Sequence, residues 1–179
     1  LQQIQQSGIE NRTMIFFLSD NGGPTKELTS RNDPLRGGKG ELFEGGIRVP
    51  FIASWKGRIP SQVIEEPVIS MDIAATSLDI TGASTTGKNK LDGITLLPLL
   101  SGSAEELPSR NLYWRVGSKH AMRKGDWKIL RDTNAWQLYN LAKDAGEDRN
   151  LASTEPTLVK ELASLWDRWN AEQSDPLWK

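Results

Sequence analysis

Two hydrophobic patterns follow one another along the chain. The first is an apolar run at 14–18, which is typical of a strand buried on both faces of a parallel sheet. A second strand is predicted over 47–55 and a helix over 69–80, separated by a turn at 56–60. This order of elements indicates an α/β fold.

After residue 110 the pattern changes to short strands punctuated by turns, followed by one amphipathic helix. Close spacing predicts an antiparallel meander over 111–116, 120–123, 127–131 and 136–139. A helix over 155–171 places Leu158, Leu162 and Trp166 on one apolar stripe. Residues 101–109 are typical of a linker, so we predict two domains, 1–102 and 110–179.

Composition excludes several classes of function. The 22 Lys and Arg residues balance 23 Asp and Glu residues, so no basic field would attract nucleic acid. The chain contains no cysteine, which excludes disulfides and thiol catalysis within it. It also has no apolar run long enough to cross a membrane.

Polar residues stand directly after the first apolar run. Asp20 and Asn21 are followed by Gly22 and Gly23, which allow a sharp turn. Ligands bind just beyond the carboxyl ends of parallel strands, and a carboxylate beside a carboxamide offers two hard oxygens. We therefore take Asp20 and Asn21 as candidate ligands of Ca²⁺ or Mg²⁺, against the alternative of an ordinary turn.

A glycine-rich segment at 36–50 supplies a candidate anion-binding cation. Lys39 lies between Gly38 and Gly40, where little shields its ammonium group. Such a lysine suits a point-charge contact to a sulfate or phosphate oxygen. By itself it would indicate a solvated loop, but together with the metal candidates upstream it favours a metal-plus-lysine anion site.

These motifs resemble those of type I, formylglycine-dependent sulfatases of the alkaline-phosphatase-like superfamily. The resemblance rests on residues 19–23, 38–40 and 44–50, and the later segments 92–102, 123–129 and 138–151 agree with it in order. It implies part of a mostly parallel sheet with helices, plus a small C-terminal antiparallel sheet packed on a helix. It also implies a hydrolase of sulfate esters, from sulfated carbohydrates or aryl sulfates, in the periplasm or secreted.

The resemblance assigns roles to particular residues. Lys39 would be catalytic, and Asp20 and Asn21 would be ligands of one Ca²⁺. In similar sulfatases the C-terminal sheet reaches the mouth of the active site. Lys119, His120 and Arg123 would therefore contact the substrate, although a lone histidine in a hairpin is more often structural.

Glu44 and Arg48 are charged residues close together on the same glycine-rich segment. We interpret them as braces of the loop that carries Lys39. Direct contact with the substrate is the alternative role.

The family's Cys/Ser-x-Pro-x-Arg motif, whose first residue becomes the formylglycine nucleophile, is absent from this sequence. Two oxygen ligands also fall short of the roughly 6–8 that Ca²⁺ takes. We therefore expect a fragment that is inactive alone and that pairs with an N-terminal sulfatase half or self-associates.

Two other functions stay open from the sequence. One is a metal-dependent phosphatase or phosphodiesterase of the same superfamily, which also places acidic ligands at strand ends. The other is a non-catalytic module, either glycan-binding or a truncated sulfatase.

Overall fold

The computed structural model describes residues 1–26, 28–83, 90–132 and 134–175. It divides into two compact units that alternate along the chain. One unit comprises Leu1–Leu18 and Pro50–Pro108, and the other comprises Ser19–Val49 and Ser109–Lys179. The glycine-rich segment therefore shares a unit with the C-terminal part of the chain, and the linear division at 102–110 stays a prediction.

In its described residues, the first unit contains two strands, three α-helices and a short 3-10 helix at Glu10–Arg12. Helix α1 is Gln2–Gln6, strand β1 is Ile15–Leu18, strand β2 is Phe51–Ser54, helix α3 is Asp72–Thr81 and helix α4 is Leu97–Ser101. (Helix α2, Glu44–Ile47, falls between β1 and β2 in the sequence and belongs to the second unit.) Helix α3 is capped by Gly82, whose φ of 67° is the left-handed conformation that glycine adopts readily after the last turn of a helix.

The strand predicted at 14–18 is present as β1, but within this chain it is neither buried on both faces nor paired in parallel. Strand β1 pairs antiparallel with β2, and Phe17 lies directly opposite Ile52. Their side chains are 65% and 56% exposed, so one face of the pair is apolar and open. The apolar run predicted the strand correctly, but it carries no information on the direction of the neighbouring strand.

Asp72 connects helix α3 to the segment that follows it. Its carboxylate accepts hydrogen bonds from the Ile69 N–H at 2.9 Å and from the Ile94 N–H at 3.0 Å. Thr76, one turn later, donates its hydroxyl to the Asp72 carbonyl and accepts the Leu96 N–H. These bonds satisfy buried polar groups that would otherwise cost free energy.

The second unit is built on a four-stranded antiparallel sheet. Its strands are β3 (Asn111–Val116), β4 (Lys119–Lys124), β5 (Trp127–Arg131) and β6 (Gln137–Asn140), in the order β3-β4-β5-β6. Gly117 has positive φ in the tight turn between β3 and β4, and Gly125 has positive φ in the tight turn between β4 and β5. The predicted meander is confirmed, with boundaries within one residue at each strand.

Both faces of this sheet are covered. Helix α5, Pro156–Ala171, packs Leu162 and Trp166 against Met122, Ile129 and Leu138. On the opposite face, Leu42 and Phe43 of the glycine-rich segment pack against a second set of buried residues: Ala121, Leu130, Tyr139 and Leu141. Alternate residues of each strand therefore belong to different cores.

The glycine-rich segment ends in helix α2, a single turn at Glu44–Ile47. We predicted a strand from residue 47, but the strand begins only at Phe51. The reason is local packing: the Gly45 N–H donates to the Arg36 carbonyl at 2.7 Å, and the Gly46 N–H donates to the Phe43 carbonyl at 2.8 Å. In the described ranges, no helix has the length and apolar character needed to cross a membrane.

Candidate functional site

The turn that follows β1 is held by its own side chains. The Ser19 hydroxyl donates to the Asn21 carbonyl at 2.8 Å, and the Asn21 N–H donates to Asp20 Oδ1 at 3.0 Å. Asn21 Nδ2 donates to the Gly22 carbonyl at 2.9 Å. Since that amide nitrogen is used within the turn, Asn21 Oδ1 and Asp20 Oδ2 are the oxygens left for a hard cation.

Close backbone contacts join this turn to the glycine-rich segment. The Gly22 N–H donates to the Gly46 carbonyl at 2.9 Å, and a Cβ on Gly22 would lie 1.7 Å from the Gly45 carbonyl oxygen. The Gly23 carbonyl accepts the Lys39 N–H at 3.2 Å. The structure therefore brings the candidate metal turn and the candidate lysine loop together, and only glycine fits at the contact.

Asn32 strengthens the same junction, and sequence reasoning missed it. Its Oδ1 accepts the Gly23 N–H at 3.0 Å, while its Nδ2 donates to the carbonyls of Gly23 and Gly37 at 3.1 and 2.9 Å. One side chain thus spans both segments. No sequence signal distinguishes this asparagine from one that caps a local turn.

Lys39 has an exposed side chain at the edge of a shallow hollow. Six residues line this hollow, and Asp20 and Asn21 are not among them: Pro24, Thr25, Lys26, Gly38, Lys39 and Glu41. Lys26 Nζ lies 2.5 Å from Glu41 Oε1, and Glu41 Oε2 accepts the Gly38 N–H at 3.0 Å. The hydrogen bond from Lys26 lowers the pKa of Glu41.

Glu44 is a buried residue, only 3% exposed. Its Oε1 lies 2.8 Å from Lys128 Nζ, on strand β5, and its Oε2 lies 3.9 Å from Arg123 Nη1. Arg48, one turn later, is exposed. The structure thus places Glu44 between the lysine loop and the sheet and leaves Arg48 in solvent.

Lys128 and Glu147 complete this buried charge cluster, and sequence reasoning missed both. Lys128 Nζ also lies 2.8 Å from Glu147 Oε1, and both side chains are fully buried. Burial raises the pKa of Glu147, against the opposing effect of Lys128. One signal was available: Lys128 alternates with Leu130 on an inward face of β5, where a lysine is unusual.

The three substrate-contact candidates of the C-terminal sheet have separate environments. Lys119 Nζ donates to the Gly40 carbonyl at 2.7 Å, so it touches the lysine loop. Arg123 donates through Nε to the Gly125 carbonyl at 2.8 Å and lies beside Glu44. Their contacts to a substrate stay predictions.

His120 is enclosed by aromatic and cationic groups. Its ring stacks on Trp166 with a centroid distance of 4.0 Å, and Arg131 Nη2 lies 2.7 Å from its Nδ1. Because arginine can only donate, Nδ1 accepts and carries no proton. Burial, together with the charge of Arg131, lowers the pKa of His120. The imidazole is thereby kept neutral, which suits a structural role.

The described parts of the chain do not bring three or more His, Cys, Asp or Glu side chains together around a metal position. The turn at Asp20 and Asn21 presents two oxygen-bearing side chains. Its donor chemistry fits a hard cation, as a fraction of a complete ligand set.

Comparison with known proteins places the chain among the sulfatases. Residues 1–83 match the family model described as Sulfatase. The chain is 33% identical over 172 residues to the N-acetylgalactosamine-6-sulfatase of Canis lupus familiaris, covering 92% of this chain and 33% of that protein. It is 32% identical to the uncharacterized sulfatase YdeN of Escherichia coli strain K12, covering 99% of this chain and 39% of that protein. The chain therefore spans about a third of the length of these relatives.

Solved structures agree with the sequence matches. The crystal structure of Ps i-CgsB in complex with k-i-k-neocarrahexaose superposes with a TM-score of 0.88 at 26% identity, over 99% of this chain and 40% of that one. The structure of BT4656 in complex with its substrate D-glucosamine-2-N,6-O-disulfate superposes with a TM-score of 0.70 at 19% identity, over 96% of this chain and 36% of that one. At 19% identity, the match to BT4656 shows a shared fold and nothing more.

Proposed function

The chain belongs to the sulfatase family and corresponds to the C-terminal part of its relatives, and from that premise we propose that it forms part of a sulfate-ester-hydrolysing active site. The observation that carries the proposal is the hydrogen bond from the Lys39 N–H to the Gly23 carbonyl. It joins the loop of a candidate anion-binding cation to the turn of two candidate metal ligands.

Lys39 is the group that would face the sulfate. Its exposed ammonium, on a loop fixed through its backbone, offers a positive charge close to a sulfate oxygen or to the leaving oxygen. Negative charge on these oxygens increases as the S–O bond breaks, so a fixed cation stabilises the transition state more than the ground state.

Asp20 and Asn21 would provide two oxygen ligands of one Ca²⁺. Internal hydrogen bonds hold both side chains, which reduces the entropy lost on binding a cation. When bound, the cation would supply electrostatic stabilisation of charge on the sulfate group. The remaining ligands, the formylglycine nucleophile and the acid that protonates the leaving group would come from residues outside this chain.

A sulfated sugar is the proposed substrate class. The N-acetylgalactosamine-6-sulfatase named above acts, by its name, on a sulfated amino sugar, and Ps i-CgsB binds a neocarrahexaose. Lys119 and Arg123 would be the first residues of this chain to test for contacts to such a glycan. By itself, this chain would not turn over substrate.

The test is sulfate release by a protein that combines this chain with the segment carrying the Cys/Ser-x-Pro-x-Arg motif. We expect hydrolysis of an aryl sulfate and of a 6-sulfated hexosamine, and kcat/KM for the matching aryl phosphate at least 100-fold lower. The 179-residue chain assayed alone is the control and should show no turnover. Preference for the phosphate ester would refute the proposal in favour of a phosphatase.

A further inference from the structure

A buried cluster of charged groups joins the C-terminal sheet to the glycine-rich segment. Lys128 Nζ lies 2.8 Å from Glu44 Oε1 and 2.8 Å from Glu147 Oε1, and none of the three side chains is more than 4% exposed. Arg123 Nη1, at 3.9 Å from Glu44, brings the formal charge of the cluster to zero. Apolar residues of similar size would often serve stability as well or better, so packing alone does not explain the cluster.

The two carboxylate oxygens of Glu147 have different partners. Oε1 pairs with Lys128, while Oε2 accepts the backbone N–H of Glu44 at 2.6 Å. Glu147 has a φ of 55°, in the left-handed region that is unfavourable for a residue with a side chain. The fold therefore accepts local strain at the residue whose carboxylate reaches the segment.

Glu147 also contacts the other end of the loop that carries Lys39. Its backbone carbonyl accepts a hydrogen bond from Arg36 Nη1 at 3.0 Å, and the Arg36 guanidinium stacks on Phe43 at 4.1 Å. Arg36 precedes Lys39 by three residues and Glu44 follows it by five. A single residue thus holds both ends of the loop, and Lys128 fixes the orientation of its carboxylate.

We infer that Lys128 and Glu147 are positioning residues that set the place of Lys39 by holding residues 36 and 44 against the C-terminal sheet. The role of Lys39 in this inference rests on the proposed function. The anchoring of residues 36 and 44 does not depend on it. It gives the C-terminal sheet a part in catalysis, through the geometry of the lysine loop.

Hydrogen exchange tests the anchoring in the 179-residue chain without any activity measurement. Glu147→Gln keeps the size of the side chain but removes its charge, so its contact with Lys128 weakens. We expect exchange at the Lys39, Glu44 and Gly45 amides to rise at least 10-fold, while the Met122 and Ile129 amides keep their protection. Lys128→Met, which removes the central cation, should also raise exchange at these loop amides, and its cost in global stability should raise exchange at the sheet amides as well.

The control is Lys124→Met on the neighbouring strand β4, where Lys124 forms an exposed ion pair with Glu161 of helix α5. It should leave exchange in both groups of amides unchanged. Unchanged loop exchange in both Glu147→Gln and Lys128→Met would overturn the inference. So would an equal rise in loop and sheet in Glu147→Gln, which would indicate a role in global stability only.

Kinetics then separate the inference from the proposed function. In the catalytically complete protein, Glu147→Gln should lower kcat for an aryl sulfate at least 10-fold and change KM less than threefold. An unchanged kcat would refute positioning even if the loop loosens. A wild-type protein without sulfatase activity would refute the proposed function, while the exchange result would still decide the anchoring.

Discussion

Removing the buried cation of Lys128 should destabilise the protein strongly. Lys128→Met keeps most of the volume of the side chain but removes the cation shared by Glu44 and Glu147, which are only 3% and 0% exposed. Breaking a buried ion pair by deleting one partner costs about 3–5 kcal/mol, out of a total stability of about 5–15 kcal/mol. For a chain of this size that corresponds to a fall in Tm of about 6–20 °C.

The matched control for this prediction is Lys124→Met. Lys124 and Glu161 form an ion pair with the same 2.8 Å separation, but their side chains are 48% and 54% exposed. Solvent screens such a pair, so its loss should cost no more than about 1 kcal/mol. Urea denaturation followed by tryptophan fluorescence measures both variants, and an equal cost for the two would refute the account of the cluster.

Second-site changes test whether unpaired charge causes the loss of stability in Lys128→Met. The cost of Lys128→Met comes from uncompensated carboxylates, so adding Glu44→Gln and Glu147→Gln should recover more than half of the lost free energy. The cost of the single variant should also be smaller at pH 5 than at pH 8, since burial raises the pKa of Glu147 and its carboxylate can then bind a proton. No recovery in the triple variant would mean that the charges are not the cause.

Three further predictions concern other parts of the structure. Gly22→Ala should destabilise the protein by more than about 2 kcal/mol in urea denaturation, because the new Cβ would lie 1.7 Å from the Gly45 carbonyl oxygen; a cost below about 0.5 kcal/mol would contradict this. Since the pKa of His120 is lowered in the fold, its contribution to stability is complete above about pH 6.5 and is lost as the pH falls through the lower folded value. His120→Gln should reduce this loss in unfolding measured between pH 7.5 and 5, and an unchanged pH dependence would refute it. The exposed pair Phe17 and Ile52 should drive self-association or pairing with a second polypeptide; Phe17→Ser should weaken it in light scattering, and a stable wild-type monomer of 19.9 kDa would be the contrary result.

The sequence pattern predicted the second unit best. Strands β3 to β6 and helix α5 lie within one residue of their expected starts, because each element carries its own period and is bounded by turn residues. The turns at Gly117 and Gly125 then allow only neighbouring antiparallel pairs. Local signals were sufficient where the contacts themselves are local.

Longer-range features were not predictable in the same way. The run at 14–18 is equally compatible with parallel and antiparallel partners, so the antiparallel pairing of β1 with β2 was missed. Helix α2 contains two glycines, which have low helix propensity, and it is stabilised by Arg36 and Glu147 instead.

The candidate site shows the same limit. The motifs placed Asp20, Asn21 and Lys39 in adjoining loops, and the contact between Gly23 and Lys39 agrees with that placement. The burial of Lys128 was not expected, because a lysine in a strand usually faces water and its partner Glu44 is 84 residues away. The alternation of Lys128 with Leu130 indicates an inward face, but no pattern in the sequence identifies Glu44 and Glu147 as its partners.

The most direct test of the central claim is the kinetics of Lys39→Met in the catalytically complete protein. Loss of a fixed cation at the reacting oxygen should lower kcat/KM for an aryl sulfate by about 10²–10³-fold. Lys56→Met, which removes an exposed ion pair with Glu10, should leave it unchanged. Full sulfatase activity in Lys39→Met would contradict the assignment of this loop to the active site.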